Sequence, residues 1–388
     1  MTGSPQGRLL FVINDLGFLI SHRLPVAQAA LEAGYEVHIA APMGIASERE
    51  LAGSGFHLHR LGMHRHKTNP VAELRSFWDL YRTFRKLKPD IAHLVTIKPV
   101  LYGGIAARLA RVPSIVSAIS GLGYIFIGST LRGRIISVFV KPLYRLALGH
   151  RTQSVIFQND DDRRTIEGLG VDLSGKVEMV QGSGVDLEVF WPAPEPEGPV
   201  TVVVPSRLLH DKGIVEFVEA ARILKREGST ARFALVGDAP EGNPASVSQG
   251  ILDAWNTEGV VEFWGFRSDM ADVLRQSHIV VLPSYREGFP KALIEAAACG
   301  RAVVTTDTPG CRDAIIENKT GRLVPVRDSL ALADAMRSLI EDEEIRRKMG
   351  IAGREHAEQA FSIEHVTRRH LDIYLGLSRR LKQSERVI

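Results

Sequence analysis

The 388-residue chain carries 48 Lys/Arg against 45 Asp/Glu, a formal net charge of +3, with 45% hydrophobic and 24% charged residues. That length exceeds what one core commonly fills, so two domains are expected, and the balanced composition excludes a disordered, collagen-like or coiled-coil chain. Two cysteines, Cys299 and Cys311, are too few for a disulfide framework and match no zinc spacing. The polar stretch from Met1 to Arg8 lacks the design of a signal peptide, and no uninterrupted apolar run approaches the ~18 residues of a spanning helix, so a cytoplasmic protein is expected.

In chain order, the short apolar runs Leu9 to Ile13, Val37 to Ala41, Ile91 to Val95, Ser114 to Ala118 and Ser154 to Phe157 predict buried parallel strands. Helix-length segments separate them. Leu24 to Ala33 ends at Gly34, and Val71 to Leu87 is entered through Pro70 and stops before Pro89. The pattern breaks at Gly182-Ser183-Gly184, and prolines at 192, 194, 196 and 199 mark 184–199 as a linker. A second series follows: Thr201 to Val204, Arg232 to Val236, Val260 to Trp264, Ile279 to Leu282, Ala302 to Thr305 and Arg322 to Val324 predict strands, again alternating with helices. Two βα series predict two doubly wound, Rossmann-like α/β domains, 1–183 and 200–361, facing each other across a cleft. The segment 362–388 reads as a helix crossing back to the first domain.

Ligands of such sheets bind at the carboxyl ends of strands, which directs attention to three loops. The first, Asn14-Asp15-Leu16-Gly17-Phe18, lacks the three spaced glycines of a dinucleotide site, so NAD is disfavoured, although Gly17 allows close backbone approach. In the second, Pro205 to Gly213, Arg207 offers a planar fork and Lys212 a mobile point charge, a pair suited to a diphosphate. The third, Ser284-Tyr285-Arg286-Glu287-Gly288-Phe289-Pro290-Lys291, leads from an apolar strand into a helix. Free N–H groups there favour an anionic or hydroxyl-rich ligand, and Glu287 is placed to accept from sugar hydroxyls. Glu295, on a helical stretch otherwise made of Ala, Leu and Ile, is a buried carboxylate in need of a partner such as a ribose diol.

These motifs resemble those of the retaining nucleotide-sugar glycosyltransferases of family 4, which have the GT-B fold. The resemblance rests on Arg207 with Lys212 and on the Glu-x7-Glu spacing of Glu287 and Glu295 within EGFPKALIEAAACG. It implies that Arg207 and Lys212 hold the donor diphosphate, that Glu287 lies at the donor sugar, and that Glu295 binds the ribose. Arg207, Lys212 and Glu287 are then the catalytic set. Gly17, Gly237, Gly288, Phe289, Pro290, Lys291 and Leu293 complete the donor site, and Phe266 and Arg267 border the base. The first half is similar to a narrower set, bacterial enzymes that extend lipid-linked oligosaccharides with UDP-activated hexoses or N-acetylhexosamines. Its matching stretches are Ser21 to Pro25, Lys67 to Pro70 and Ser120 to Gly123, and the acceptor residues implied are His22, Arg23, Lys98, Ser120 and Gly121. Many members place a His where this chain has Ser120, so no His-based role transfers there.

Residues 1 to 180 hold 22 Lys/Arg against 14 Asp/Glu, a net +8, and the stretch from His57 to Arg151 alone holds 16 basic residues against Glu73, Asp79 and Asp90. Within it, Leu131 to His150 combines Arg132, Arg134, Lys141 and Arg145 with an apolar face, a pattern able to lie on an anionic membrane. Peripheral docking on the inner face of the cell membrane is therefore expected. Asp160-Asp161-Asp162 has the Asp-x-Asp spacing of metal-dependent transferases, but acidic residues followed by Arg163 and Arg164 suit a helix start better. His57, His59, His64 and His66 suggest a metal cluster, yet no acidic or Cys partner stands at ligand spacing, so exposed or acceptor-facing histidines are expected.

The expected function is transfer of a hexose or N-acetylhexosamine from a nucleotide sugar to a polyprenyl-diphosphate-linked or other cell-surface glycan acceptor, with no metal or other cofactor and no nucleic-acid partner. The alternative is a nucleotide-sugar epimerase or hydrolase of the same fold, which needs no acceptor.

Overall fold

The computed structural model describes residues 6–63, 70–122 and 141–385. Two compact units divide the chain, Met1–Ser183 with Glu364–Ile388, and Gly184–Ile363.

The first unit is built on β1 (Arg8–Ile13), β2 (Glu36–Ala41), β3 (His57–Arg60), β4 (Ile91–Val95), β5 (Ser114–Ile119), β6 (Gln153–Phe157) and β7 (Val177–Met179). Their spatial order is β3-β2-β1-β4-β5-β6-β7, and every pairing is parallel. Every residue of β4, β5 and β6 is buried, which follows from helices covering both faces of a parallel sheet. Alternation sorts the side chains. Leu10 and Val12 enter one core, and Leu9, Phe11 and Ile13 the other. Edge strands β3 and β7 are short and partly exposed and carry no apolar run that would predict them. The triple aspartate opens the helix Asp160–Gly168, whose N-cap Asn159 accepts a hydrogen bond from the Asp162 amide.

The helix Ile363–Glu385 belongs to the first unit. Val366, Ile373, Tyr374 and Leu377 enter the core that holds Leu9 and Phe11. Its buried face is not wholly apolar: the Tyr374 hydroxyl lies 2.6 Å from Nδ1 of His93 on β4, and His370 is fully buried beside them. Burial pushes the His93 imidazole well below the usual range and brings His370 to about 3, with Arg23 adding repulsion. A base with a lowered folded pKa binds fewer protons than in the unfolded chain. The stability it confers is therefore present above the ordinary value near 6.5 and is lost as pH falls toward the folded one. Each such histidine imposes a slope of up to about 1.4 kcal/mol per pH unit. Urea unfolding midpoints between pH 7 and 4 should accordingly fall steeply for the wild type and less steeply for His370→Phe; equal slopes would remove His370 from the cause.

The second unit carries β8 (Thr201–Pro205), β9 (Arg232–Val236), β10 (Glu262–Gly265), β11 (Ile279–Leu282), β12 (Ala302–Thr306) and β13 (Gly321–Val324). The order is β10-β9-β8-β11-β12-β13, again parallel throughout. Chain order reverses between β8 and β11, so their carboxyl ends form this sheet's switch point; β1 and β4 do the same in the first unit. The proline-rich stretch expected as a linker is bonded to side chains of the second unit. Glu195 takes both ends of the Arg346 fork at 2.8 Å, and the Pro194 carbonyl accepts from Arg301. Four prolines remove backbone donors, so side chains from the domain bond the carbonyls that remain.

Candidate functional site

Arg207 follows the end of β8 and is exposed. The chain then makes one short turn, His210–Lys212, before Gly213 opens the helix Ile214–Arg226. Gly213 has φ +69°, and a Cβ there would sit 2.1 Å from the Pro283 carbonyl oxygen, so only glycine lets the β8 loop press against the β11 loop. Hydrogen bonds seal that contact. The Tyr285 amide and the Ser284 hydroxyl both donate to the Asp211 carbonyl, at 2.9 and 3.1 Å.

The contact brings Lys212 onto Glu287 across 75 residues of sequence. The Lys212 ammonium pairs with Glu287 Oε1, and the same oxygen accepts from the Ser284 hydroxyl at 2.7 Å. Both ion-pair side chains are largely buried, 14% and 16% exposed, so the attraction is only weakly screened by water. Burial, opposed by Lys212 and reinforced by Glu287, raises the neighbouring Asp211 carboxyl above its usual range. The Glu287 amide donates to the Pro309 carbonyl at 3.1 Å, which fixes the turn from the β12 side.

Pro290 is the N-cap of the helix Lys291–Ala298, with extended ψ. Phe289 is buried against the Phe361 ring, 5.3 Å between centroids, and Leu293 is fully buried with its amide bonded to the Pro290 carbonyl. These two side chains support the loop from beneath. Glu295 lies one turn deeper and is 7% exposed, with Lys291 Nζ at 3.2 Å. Burial raises its pKa against the opposing pull of Lys291.

Beside this cluster, a cavity of about 500 Å³ opens at the ends of β9 and β10, lined by Leu208, Gly237, Asp238, Asn256, Phe263 and Gly265 among others. Gly237 is again obligatory: at φ +141° its Cβ would meet the Ser206 carbonyl oxygen at 2.1 Å. Phe266 is 73% exposed, whereas the Arg267 fork is engaged by Asp269, at 2.7 Å from Nε.

The first unit gathers the remaining residues at its own strand ends. Gly17 sits in the first turn of the helix Leu16–His22, next to the Asp15 N-cap. His22 stacks on Phe18 at 4.2 Å, and its Nδ1 lies 2.7 Å from the Ser21 hydroxyl. Arg23 is 1% exposed and donates to Ser120 Oγ at 3.3 Å; burial lowers its pKa to about 10, partly offset by Tyr374. Lys98 is held by Glu73 at 2.6 Å, and Gly121 takes φ +106° after Ser120.

Family models match both halves of the chain: "Glycosyl transferases group 1" over residues 186–356 and "Glycosyl transferase 4-like" over residues 8–159. The chain belongs to the GT-B glycosyltransferases of family 4. This glycosyltransferase is 28% identical over 376 residues to the Campylobacter jejuni N,N'-diacetylbacillosaminyl-diphospho-undecaprenol alpha-1,3-N-acetylgalactosaminyltransferase, covering 93% of this chain and 97% of that one. It is 25% identical to an Escherichia coli UDP-Gal:alpha-D-GlcNAc-diphosphoundecaprenol alpha-1,3-galactosyltransferase, covering 79% and 80%. In fold it resembles the Anabaena protein HepE, solved with UDP and glucose, at TM-score 0.75 and 19% identity over 94% of this chain and 98% of that one. Sucrose-phosphate synthase of Thermosynechococcus elongatus gives TM-score 0.77 at 19% identity, covering 95% and 98%. Both named relatives are transferases, and the epimerase or hydrolase alternative gains nothing from them.

Several further residues of this glycosyltransferase stand at the switch point and the neighbouring cavity. Ser284 bridges two loops, and Tyr285 donates to Glu216 at 2.6 Å beneath the Arg327 guanidinium, which lies 4.7 Å from the ring centroid. Asp238 and Asn256 line the cavity. Only Ser284 and Tyr285 stand within a motif; Asp238 lies in the loop after β9 and Asn256 on the helix Gln249–Glu258.

Proposed function

We propose that this glycosyltransferase moves a hexose or N-acetylhexosamine from a UDP-sugar to a polyprenyl-diphosphate-linked acceptor, retaining the configuration of the transferred sugar. The observation that carries the donor half is the pairing of Lys212 with Glu287 across the β8/β11 switch point, with Arg207 on the loop after β8 and Glu295 on the helix after β11. Cleavage of the sugar–phosphate bond leaves negative charge on the diphosphate while the anomeric carbon becomes cation-like. Fixed cations aimed at the leaving group lower that barrier most. Arg207 supplies a fork for two phosphate oxygens and Lys212 a point charge. Glu287 orients the ammonium before the donor arrives and then faces the sugar. Glu295 accepts from the ribose hydroxyls, and the cavity lined by Leu208, Asn256 and Phe263 receives the base. The departing phosphate itself takes the proton of the attacking acceptor hydroxyl.

Support for the acceptor half comes from the named relatives, both of which act on diphospho-undecaprenol-linked substrates, and from the surface of the first unit. No described helix is long and apolar enough to cross a membrane. The segment 131–140, which carries much of the expected amphipathic stretch, lies outside the described residues. A different surface offers the same chemistry. The helix Pro70–Leu87 exposes Val71, Leu74 and Trp78 at helical spacing, Val71 by 75%, with exposed Arg75, Arg82 and Arg85 continuing the stripe. Apolar residues ringed by arginine suit an anionic bilayer, each cation contributing about 1 kcal/mol. The enzyme should co-sediment with anionic but not zwitterionic liposomes, and Leu74→Ser/Trp78→Ser should release most of it. Retention of the double variant at wild-type level would exclude this helix as the contact.

A further inference from the structure

Outside the donor and acceptor residues, the edge of the first sheet gathers an unusual set of side chains. Glu36 and His38 are two apart on β2, and His57 and His59 two apart on β3, so each pair shares a face of its strand. The register sets His38 opposite His57 and Ala40 opposite His59, which puts all four side chains on the same face. His38 is 5% exposed, with Nε2 at 2.9 Å from Glu36 Oε1 and Nδ1 at 2.8 Å from His59 Nε2. The His57 ring stacks on His38 at 4.7 Å, and its Nε2 lies 4.0 Å from Glu36 Oε1. One ligand atom each from Glu36, His38 and His57 lie within 4.8 Å of one another.

We propose that Glu36, His38 and His57 form a zinc site that clips the exposed edge strand β3 to β2. The donor set decides the ion. Two imidazole nitrogens and one carboxylate oxygen suit Zn²⁺, whereas Ca²⁺ and Mg²⁺ ask for six or more oxygens. Zinc bonds of about 2.0–2.2 Å place tetrahedral ligands roughly 3.3 Å apart. The Glu36–His38 distance is already close to that, and the exposed His57 ring, its Nε2 4.0 Å from Glu36 Oε1, must move inward to complete the set. The outer partners are also in place. His59 takes the second nitrogen of His38, and Arg8 holds the other Glu36 oxygen at 3.1 Å, leaving Oε1 to the ion. The fourth position faces water on the His57 side, which is 58% exposed. Read along the chain, the histidines lacked an acidic partner; β2 supplies it from 21 residues upstream of His57. A short, polar edge strand gains most from such a clip, because it buries little apolar surface of its own. The ion is structural and goes beyond the glycosyl transfer proposed above.

The test uses the full chain after chelation, titrated with Zn²⁺ by calorimetry and with Co²⁺ by visible absorption. One saturable site with a tetrahedral Co²⁺ spectrum is expected, weakened about tenfold or more in His57→Ala and in Glu36→Gln. Zn²⁺ should raise the Tm of the wild type and not that of His57→Ala, whose exposed position leaves folding intact. Three results would overturn the site: no saturable binding, equal binding in His57→Ala, or a loss confined to His64→Ala/His66→Ala, which would place the ion in the following tract.

Discussion

Arg207→Ala should lower turnover about 100- to 1,000-fold, the scale of losing one preorganised donor to a developing negative charge. Its Tm should stay near that of the wild type, because an exposed side chain at a strand end contributes little to stability. Lys212→Ala should lose a similar amount of turnover but also fold less well. It strips the cation from the largely buried Glu287 carboxylate and leaves Ser284 to satisfy that oxygen, a cost of about 1–3 kcal/mol. The double variant Lys212→Ala/Glu287→Gln separates the two effects. It removes the buried charge, so stability should return while turnover stays low. Wild-type turnover in that variant would reduce Lys212 to a structural counter-ion. Arg207→Lys should recover only part of the lost rate, since charge without the fork cannot bind two phosphate oxygens at once.

Glu295→Gln should weaken UDP binding about 10- to 100-fold, the worth of one hydrogen bond to a charged group, measured by calorimetry. It should also make the protein more stable at neutral pH. Burial raises the Glu295 pKa above its ordinary 4.5, so the folded chain holds the proton more tightly than the unfolded one. An acid shifted in that direction withdraws stability as pH rises from the unfolded pKa through the folded one, and the deficit persists above it. The Tm gain of Glu295→Gln should therefore be present at pH 7 and absent at pH 4. A buried carboxylate that costs stability even with Lys291 beside it fits a residue kept for binding. Unchanged UDP affinity together with a lower Tm would make Glu295 a structural ion-pair partner of Lys291.

Much of this was legible in the sequence because a parallel sheet buries its central strands on both faces. Ile91–Val95, Arg232–Val236 and Ile279–Leu282 appear with the bounds their apolar runs predict. The edge strands His57–Arg60 and Val177–Met179 were not legible, since a strand exposed on one side needs no such run. The same contrast holds at the donor site. Arg207, Lys212, Glu287 and Glu295 stand in two contiguous motifs, so residue type, strand-end position and the family resemblance together suggested their chemistry. The pairing of Lys212 with Glu287, and the support from Asp211 and Ser284, depend on the close approach that Gly213 allows between two loops. Nor could spacing foresee that Leu293 and Phe289 turn inward, because apolar side chains beside a ligand loop serve equally well as its foundation. The path of the proline-rich stretch was not legible for a related reason: its composition predicts extended chain, while the side chains that bond it, Arg346 and Arg301, stand more than 100 residues away.

The most direct test of the central claim is a transfer assay with radiolabelled UDP-N-acetylhexosamines and UDP-hexoses, presented with an undecaprenyl-diphosphate-linked saccharide in anionic liposomes. Wild-type enzyme should move label into the lipid fraction only when the acceptor is present, and Arg207→Ala should not. Label left in water as free sugar or as an altered sugar nucleotide, at the same rate with or without acceptor, would contradict the account.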